Sequence, residues 1–478
     1  MKKEKEGYIT VYLSLTIGIM LTVIVTLLYG IRVHTIRYET ECVMDIALKS
    51  IFAEYHREML SRYGLLYIDS SYGGNDVSNE YTKAHLLKYM NDNFNGNHMT
   101  GGKDLLEIHA DNANLENITY PSDSEGEVLR YQIDRYMKVK TGLGLIDAGD
   151  IDASDYTDWM GEYESYMSGW DSADSGIDSI MDEINSGLEE GEEPYSISNP
   201  ADSMDSLSSS NALYYAIGDM STLDANCIDS SLYISHRSYD EGEGLRDYQE
   251  PPNGIISREL FYGYIFDKCG YYGTVRENSA LSYQIEYLLN GQDEDVRNME
   301  EVAQDIFKIR YVVNMMYLFS DTVKQAEAEE LALAATTAIG NPELTELVKL
   351  TILFAWGYAE SAKDLRILYS GNSLSITKTA ATWNTPITQL LTFREHLNEY
   401  VLPMGNLDYK RFLLIFLNLK DIDTTTKRLM DVMEMDIRLT AGNTEFKMDE
   451  QIYQLTAEVN ISSRYGYGCL IRRKYSYE

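Results

Sequence analysis

The chain has 478 residues, 44% hydrophobic and 24% charged, so it can bury a sizeable core, and its length allows about three domains. Its 40 Lys and Arg stand against 76 Asp and Glu, a formal net charge of −36. That balance excludes nucleic-acid binding, which needs clustered cations on phosphates, and it disfavours adsorption to anionic lipid. It suits an extracytoplasmic space rich in cations or polycations.

Residues 1–7 are a short basic start carrying Lys2, Lys3 and Lys5. Tyr8 to Ile31 then form an apolar run without one formal charge, longer than the ~20 residues that cross a bilayer as a helix. A removable signal peptide has a shorter apolar core and ends in a small-x-small cleavage site. Here the run leaves as Tyr29-Gly30-Ile31-Arg32, and the reading is a retained transmembrane helix over 8–31. The three lysines before it, against Arg32 and Arg37 after it, place the N-terminus in the cytoplasm and the body outside the cell membrane.

Small or hydroxylated residues recur at every fourth position of the span: Thr10, Ser14, Gly18, Thr22, Thr26 and Gly30. Positions i and i+4 stack on one helix face, so these six predict a slowly drifting, shallow groove that a second membrane helix can approach closely. The alternative is that the hydroxyls bond back to carbonyls of their own helix. Residues 32–64 continue as a stalk helix, with Met44, Leu48, Ile51, Phe52, Tyr55, Met59 and Tyr63 at helical spacing. No Gly or Pro interrupts the stretch before Gly64, a natural stop. Helix from about Ile9 to Tyr63 would make a rod of roughly 80 Å.

Residues 65–257 form an acidic, loop-rich region with one or two helices. Short strands or loops are expected over 65–140, around breaks such as Tyr72-Gly73-Gly74-Asn75 and Asn93 to Gly102, followed by a helix near Glu125–Lys140. From 141 to 236 there is no Lys or Arg and there are 21 Asp or Glu. Trp159, Tyr163, Tyr166, Trp170, Ile177 and Ile184 still trace one amphipathic helix there, and Leu188 to Ser210, broken by Pro194 and Pro200, reads as a loop.

Residues 258–440 are helical. One helix stops at Gly291, another is capped by Ser320 or Asp321 and ends at Gly340, and the next opens on Asn341-Pro342, an N-cap with proline in first position. A last helical segment runs from Tyr409 to Met435. Residues 441–478 change period: Tyr453, Leu455, Ala457, Val459 and Ile461 alternate with polar residues, the pattern of a half-buried strand. A turn at Arg464–Gly468 and a returning strand complete a β-hairpin, for which the stalk helix is a candidate cover. The fold class is therefore α+β: a long N-terminal helix, a mostly helical body and a C-terminal hairpin packed on a helix.

No spacing of residues specifies a reaction. His-Glu-x-x-His, Gly-x-Ser-x-Gly, P-loop and Cys-x-x-Cys patterns are absent, and Gly142-Leu-Gly144 with Asp147 and Gly149 follows no clear strand, so a dinucleotide site is not indicated. The acidic stretch fits no calcium loop. Cys42, Cys227, Cys269 and Cys469 are too few and scattered for a disulfide framework or metal site; buried thiols are expected, with a Cys227–Cys269 bridge as the alternative. Glu54-Tyr55-His56-Arg57-Glu58 reads as a solvated, salt-bridged helix face. Glu286, Glu360 and Arg366, on otherwise apolar helices, are expected in structural ion pairs. No catalytic residue, cofactor or metal site is expected from the sequence.

Several segments carry a resemblance. Gly7-Tyr-Ile-Thr-Val-Tyr-Leu-Ser-Leu, Phe52-Ala-Glu-Tyr-His-Arg-Glu-Met-Leu, Leu281-Ser-Tyr-Gln-Ile-Glu-Tyr-Leu-Leu-Asn-Gly, Phe354-Ala-Trp-Gly-Tyr-Ala-Glu-Ser and Leu407-Asp-Tyr-Lys-Arg-Phe-Leu resemble an uncharacterised family of single-span clostridial membrane proteins. That family is similar to TadE-like and TadG-like proteins of Tad/Flp (type IVc) pilus loci. The resemblance covers nearly the whole chain and implies possible processing after Gly7. Pilin-like precursors carry a glutamate five residues beyond the cleavage glycine, and that place is Tyr12 here.

The expectation is a non-enzymatic, single-pass extracytoplasmic protein, an accessory or minor pilin-like component of a Tad/Flp-type pilus or surface assembly. Its partners would be the lipid bilayer and membrane or pilus-assembly proteins met through the N-terminal helix. The alternative is a membrane-tethered ligand-binding or adhesive module.

Overall fold

The structure, a computed structural model, describes residues 3–74, 78–95, 106–141, 153–189, 192–197, 211–245, 255–401, 405–464 and 466–477. The Gly142–Gly149 stretch, most of Asn93–Gly102 and residues 198–210 of the expected loop lie outside the described residues. The chain divides into two compact units. The first comprises Met1–Tyr136, Arg237–Pro252 and Met433–Glu478, and the second Met137–His236 and Asn253–Val432. The sequence blocks 65–257 and 258–440 therefore do not coincide with folding units: each unit is assembled from separated stretches of chain.

In the first unit α1 (Lys3–Phe52) is continuous across the apolar run and the start of the stalk. It ends eleven residues before the expected Tyr63, and a second helix, α2 (Arg57–Tyr63), follows after a break. No Gly or Pro causes this break; tertiary hydrogen bonds do. Tyr477 Oη donates to Phe52 O at 2.8 Å, His56 N donates to Tyr67 O at 2.8 Å, and Tyr55 bridges Ile68. These claim the backbone groups that a continuing helix would pair internally. Gly64 does end α2 in a left-handed conformation, φ 74°, and a Cβ there would overlap the Tyr136 ring. The unbroken rod is about 75 Å long, at about 1.5 Å per residue.

Three strands form an antiparallel sheet in the order β2 (Ile108–Thr119), β4 (Gln454–Ser463), β5 (Gly468–Ser476). The expected hairpin is β4–β5, with Val459 opposite Ile471. β2 joins its other side, with Ala113 opposite Val459. β2 was not legible as a strand because it bulges twice, after Ala110 and after Glu116, where Asn117 takes φ 47°; such shifts interrupt the period of two. Leu455, Ala457, Val459 and Ile461 point to one face. They are buried there against Met44, Ala47, Leu48 and Ile51 of α1 and Leu86, Met90 and Phe94 of α3 (Glu80–Asn95). The stalk half of α1 is thus a core element of this unit. A two-stranded pair, β1 (Ile68–Asp69) with β3 (Gln451–Ile452), and α4 (Asp123–Thr141) complete the regular elements.

The second unit is built on α11 (Pro342–Tyr369), of whose 28 residues 20 are buried, so it runs through the centre instead of lying on the surface. α5 (Ala153–Ser186), α6 (Ala212–Ile217), α9 (Asp295–Ser320) and α10 (Thr322–Thr336) pack around it. Gly357 lets α9 approach: a Cβ there would overlap Met315 Sδ. The caps fall where the sequence puts them. Asp321 caps α10, Asn341 accepts from Glu343 N and Leu344 N with Pro342 in the first turn, and Gly291 ends α8 (Gln284–Asn290) at φ 70°. α7 (Ile255–Lys268) precedes them. The expected segment Tyr409–Met435 is instead two helices, α12 (Tyr409–Leu419) and α13 (Ile422–Arg438). Asp421 accepts from Thr424 N at 2.9 Å and starts the second.

The cysteine expectation needs correcting. All four are free thiols, with no Cys227–Cys269 bridge, and only Cys269 is buried; Cys42 and Cys227 are exposed.

Candidate functional site

Two kinds of feature could carry function: the apolar half of α1 and the polar groups buried in each unit. Among the described residues α1 is the one helix long and apolar enough to cross a membrane, a property that membrane anchors and signal sequences share. From Tyr8 to Ile31 its large apolar side chains are 49% to 79% exposed. Gly7 lies within the helix. Around Gly18 and Gly30 nothing approaches within 4 Å of where a Cβ would stand, so both positions are open to a neighbour. The hydroxyls bond back along their own helix: Ser14 to Val11 O at 2.9 Å, Thr22 to Gly18 O at 2.8 Å and Thr26 to Thr22 O at 2.7 Å. They therefore need no partner. Each i+4 step also turns about 40°, so Thr10 to Gly30 sweeps about 200° of a straight helix. A crossing helix meets about half of the six, and the Gly18–Thr22–Thr26–Gly30 portion gives it the least steric bulk.

In the second unit a network of charges is sealed between α9, α11 and the segment after α11. Arg310 Nε donates to Asp364 Oδ2 at 3.0 Å. Lys378 Nζ meets Asp364 Oδ1 and Glu360 Oε1, each at 2.6 Å. Asn314 bonds to Ser361 Oγ at 2.9 Å and Asp364 Oδ2 at 3.2 Å. Glu360 also accepts from Asn384 N at 2.9 Å. Burial alone would raise the Asp364 carboxyl, but Lys378 and Arg310 together hold it below its ordinary value. Lys363, whose ammonium burial pushes down, donates to Asn384 O at 3.0 Å. The arrangement ties the irregular 370–386 segment to two helices. Glu360 was legible as an ion-pair member; Arg310, Asp364 and Lys378 were not, because their partners lie 14 to 54 residues away.

Glu286 differs from the expectation. Among the described residues no cation pairs with it: Tyr409 Oη donates to its Oε1 at 2.8 Å and Tyr272 N at 2.9 Å, while its Oε2 meets no hydrogen-bond partner there. Tyr272, Tyr369 and Tyr409 pack around it in tilted and edge-to-face contacts, with ring centroids 4.9 to 5.8 Å apart. Burial lifts its pKa to about 7. Arg366 likewise forms no ion pair among the described residues; it donates to Ala216 O at 3.2 Å and to Ile217 O.

In the first unit Arg237 forks onto Glu434 with two bonds of 2.7 Å and also bonds Asp449. Met448 N donates to Glu434 at 2.7 Å. The Glu54–Glu58 cluster is not one helix face: Glu54, Tyr55 and His56 fall in the break after α1, and Arg57 and Glu58 open α2. Glu54 accepts from Tyr72, His85 and Tyr89 at 2.9, 2.9 and 2.5 Å; burial opposes but these donors lower its pKa. His56 caps α2 through Met59 N. These groups hold loops in place, and among the described residues of these first-unit clusters no nucleophile stands beside a base that is oriented by a third group. Among the described residues no three His, Cys, Asp or Glu are placed to hold a metal ion.

The molecule is thus an α+β protein with a long apolar N-terminal helix and buried, hydrogen-bonded polar clusters in each unit. Residues 190–463 match a family of unknown function, DUF5702, and the chain belongs to that family. No curated protein and no solved structure matches it.

Proposed function

We propose that this is a non-enzymatic, single-pass membrane protein whose folded units lie outside the cell, serving as an accessory or minor component of a Tad/Flp-type pilus or similar surface assembly. The observation that supports the anchor is the continuity of α1. Its first half exposes an unbroken apolar surface, and its second half, from Ile36 to Phe52, is buried core of the first unit. Exposed apolar area of that extent is unfavourable in water and favourable in lipid. The resemblance of the Gly7–Leu15 and Phe52–Leu60 segments to proteins of pilus loci supports the assembly role. In this reading the open Gly18–Gly30 portion meets a partner helix.

Cells carrying the full chain test both parts. A membrane-impermeant maleimide should label exposed Cys42 in intact cells of a variant lacking the other three cysteines. Gly18→Leu with Thr22→Leu should lower crosslinking to membrane partners several-fold while leaving membrane fractionation unchanged. Labelling only after lysis refutes the orientation, and unchanged crosslinking refutes helix packing.

A further inference from the structure

In the second unit one lysine and two carboxylates meet with almost no access to solvent. Lys378 Nζ lies 2.6 Å from Asp364 Oδ1 and 2.6 Å from Glu360 Oε1, and the three side chains are 2%, 1% and 0% exposed. Asp364 and Glu360 stand one turn apart on α11. Lys378 enters from the irregular segment after that helix, 14 residues along the chain from Asp364. Trp383 covers the ammonium, its ring centroid 5.8 Å from Nζ, and the buried Trp356 packs edge-on against Trp383 at 5.5 Å.

The two oxygens of Asp364 have different surroundings. Oδ1 faces Lys378, whereas Oδ2 accepts from Arg310 Nε at 3.0 Å and from Asn314 Nδ2 at 3.2 Å. Arg310 is itself held, donating to Ser375 O at 2.9 Å. A nitrogen 2.6 Å from Oδ1 is roughly 3 to 3.5 Å from Cγ, the separation of a near-attack pair. An amine, a carboxyl carbon, a second carboxylate beside the amine and two donors on the far oxygen are therefore assembled in one closed site.

We propose that Lys378 and Asp364 condense into an amide, an isopeptide bond that the folded chain forms by itself with Glu360 carrying a proton. The cations around Asp364 favour its ionised form. Closure therefore starts with a proton passing from Nζ to Oδ1 along their hydrogen bond, which cancels two buried charges. The neutral amine attacks Cγ, the Nζ–Cγ bond forms, and negative charge moves to Oδ2, where Arg310 and Asn314 already donate. Glu360 takes a second proton from Nζ and gives it to the Oδ1 hydroxyl. The Cγ–Oδ1 bond then breaks and water leaves. Ammonium and carboxylate become amide and water, so protons and electrons balance without a co-reactant. Two effects favour the product over the ion pair. Paired buried charges remain expensive to desolvate, and an intramolecular neighbour has an effective concentration of up to about 10⁵ to 10⁸ M. The bond would close a covalent ring over 364–378 and fasten the irregular segment to α11.

The test is a tryptic map, by mass spectrometry, of the full chain purified in detergent and then denatured. With the bond in place, cleavage after Lys378 is blocked, and Asp364–Arg366 stays attached to Ile367–Arg394. The joined pair should be lighter than its two parts by one water, about 18 Da. Lys378→Arg keeps a cation that does not acylate, and should release Asp364–Arg366 free. Glu360→Gln should lower the yield of joined peptide at least tenfold. Free Asp364–Arg366 throughout the wild-type digest, or a lost water without a joined peptide, would overturn the proposal and leave a purely ionic network. Undiminished joining in Glu360→Gln would overturn the part given to Glu360. The wild-type map decides whether the bond exists, whatever the folding of the variants.

Discussion

Replacing Glu286 by Gln should change how the protein's heat resistance depends on pH. In the folded chain the Glu286 carboxyl is raised from 4.5 to about 7 by burial, with Tyr409 and the Tyr272 N–H acting the other way and Asp295 adding to the rise. A carboxyl raised on folding binds more protons in the native state than in the unfolded state between those two values. Its stabilising contribution is therefore complete below about pH 4.5 and is lost as pH climbs through about 7. At about 1.4 kcal/mol per tenfold change in proton affinity, the loss approaches 3 kcal/mol by pH 8. Gln cannot ionise and escapes it, although an amide nitrogen in place of Oε2 is no better partnered than the oxygen was. For a unit of this size 3 kcal/mol corresponds to roughly 5 to 10 °C in melting temperature. Thermal melts of detergent-solubilised wild type and Glu286→Gln, run from pH 5 to 8.5, should give curves that separate as pH rises, the variant melting higher. Glu434, also lifted by burial to about 7, is common to both and cancels. A difference that stays constant across the range would refute the reasoning.

Two further changes probe the two cores. Lys378→Met should cost about 3 to 5 kcal/mol in urea unfolding, since it leaves Glu360 buried without a cation; adding Glu360→Gln should recover part of this, and a loss under about 1 kcal/mol would show the network to be dispensable. Leu48→Ala empties a site 1% exposed in the stalk half of α1 and should cost about 2 to 5 kcal/mol, with faster amide exchange in β4 and α3; unchanged exchange there would mean that α1 does not support the sheet.

Much of the fold was legible because local rules and tertiary structure agree. Asp321, Asn341-Pro342 and Gly291 punctuate the helices as capping chemistry requires, and the alternation of Leu455 to Ile461 yields β4. Where they disagree, the sequence misled. The stalk reads as helix to Tyr63, yet Tyr477, Tyr67 and Ile68, distant in sequence or beyond Gly64, take over the backbone at 52–56. β2 hides behind two bulges. The six small residues of the apolar run are all on α1, and the drift read from their i+4 spacing amounts to about 200° over the run. The buried charges were invisible for a different reason: a lysine in an irregular segment, such as Lys378, carries no mark that it will sit 2.6 Å from carboxylates of a central helix.

The continuity of α1 sets a limit on how the first unit can be isolated without its apolar N-terminal half. A water-soluble fragment that begins at Tyr67 discards Met44, Leu48 and Ile51 and strips the sheet of the helix that shields it, so it would clump or unravel. One beginning near Arg32 keeps that cover. For the same reason any tilt imposed on the apolar end of α1 is delivered by a stiff lever straight into the first unit, with no break before Phe52 to absorb it.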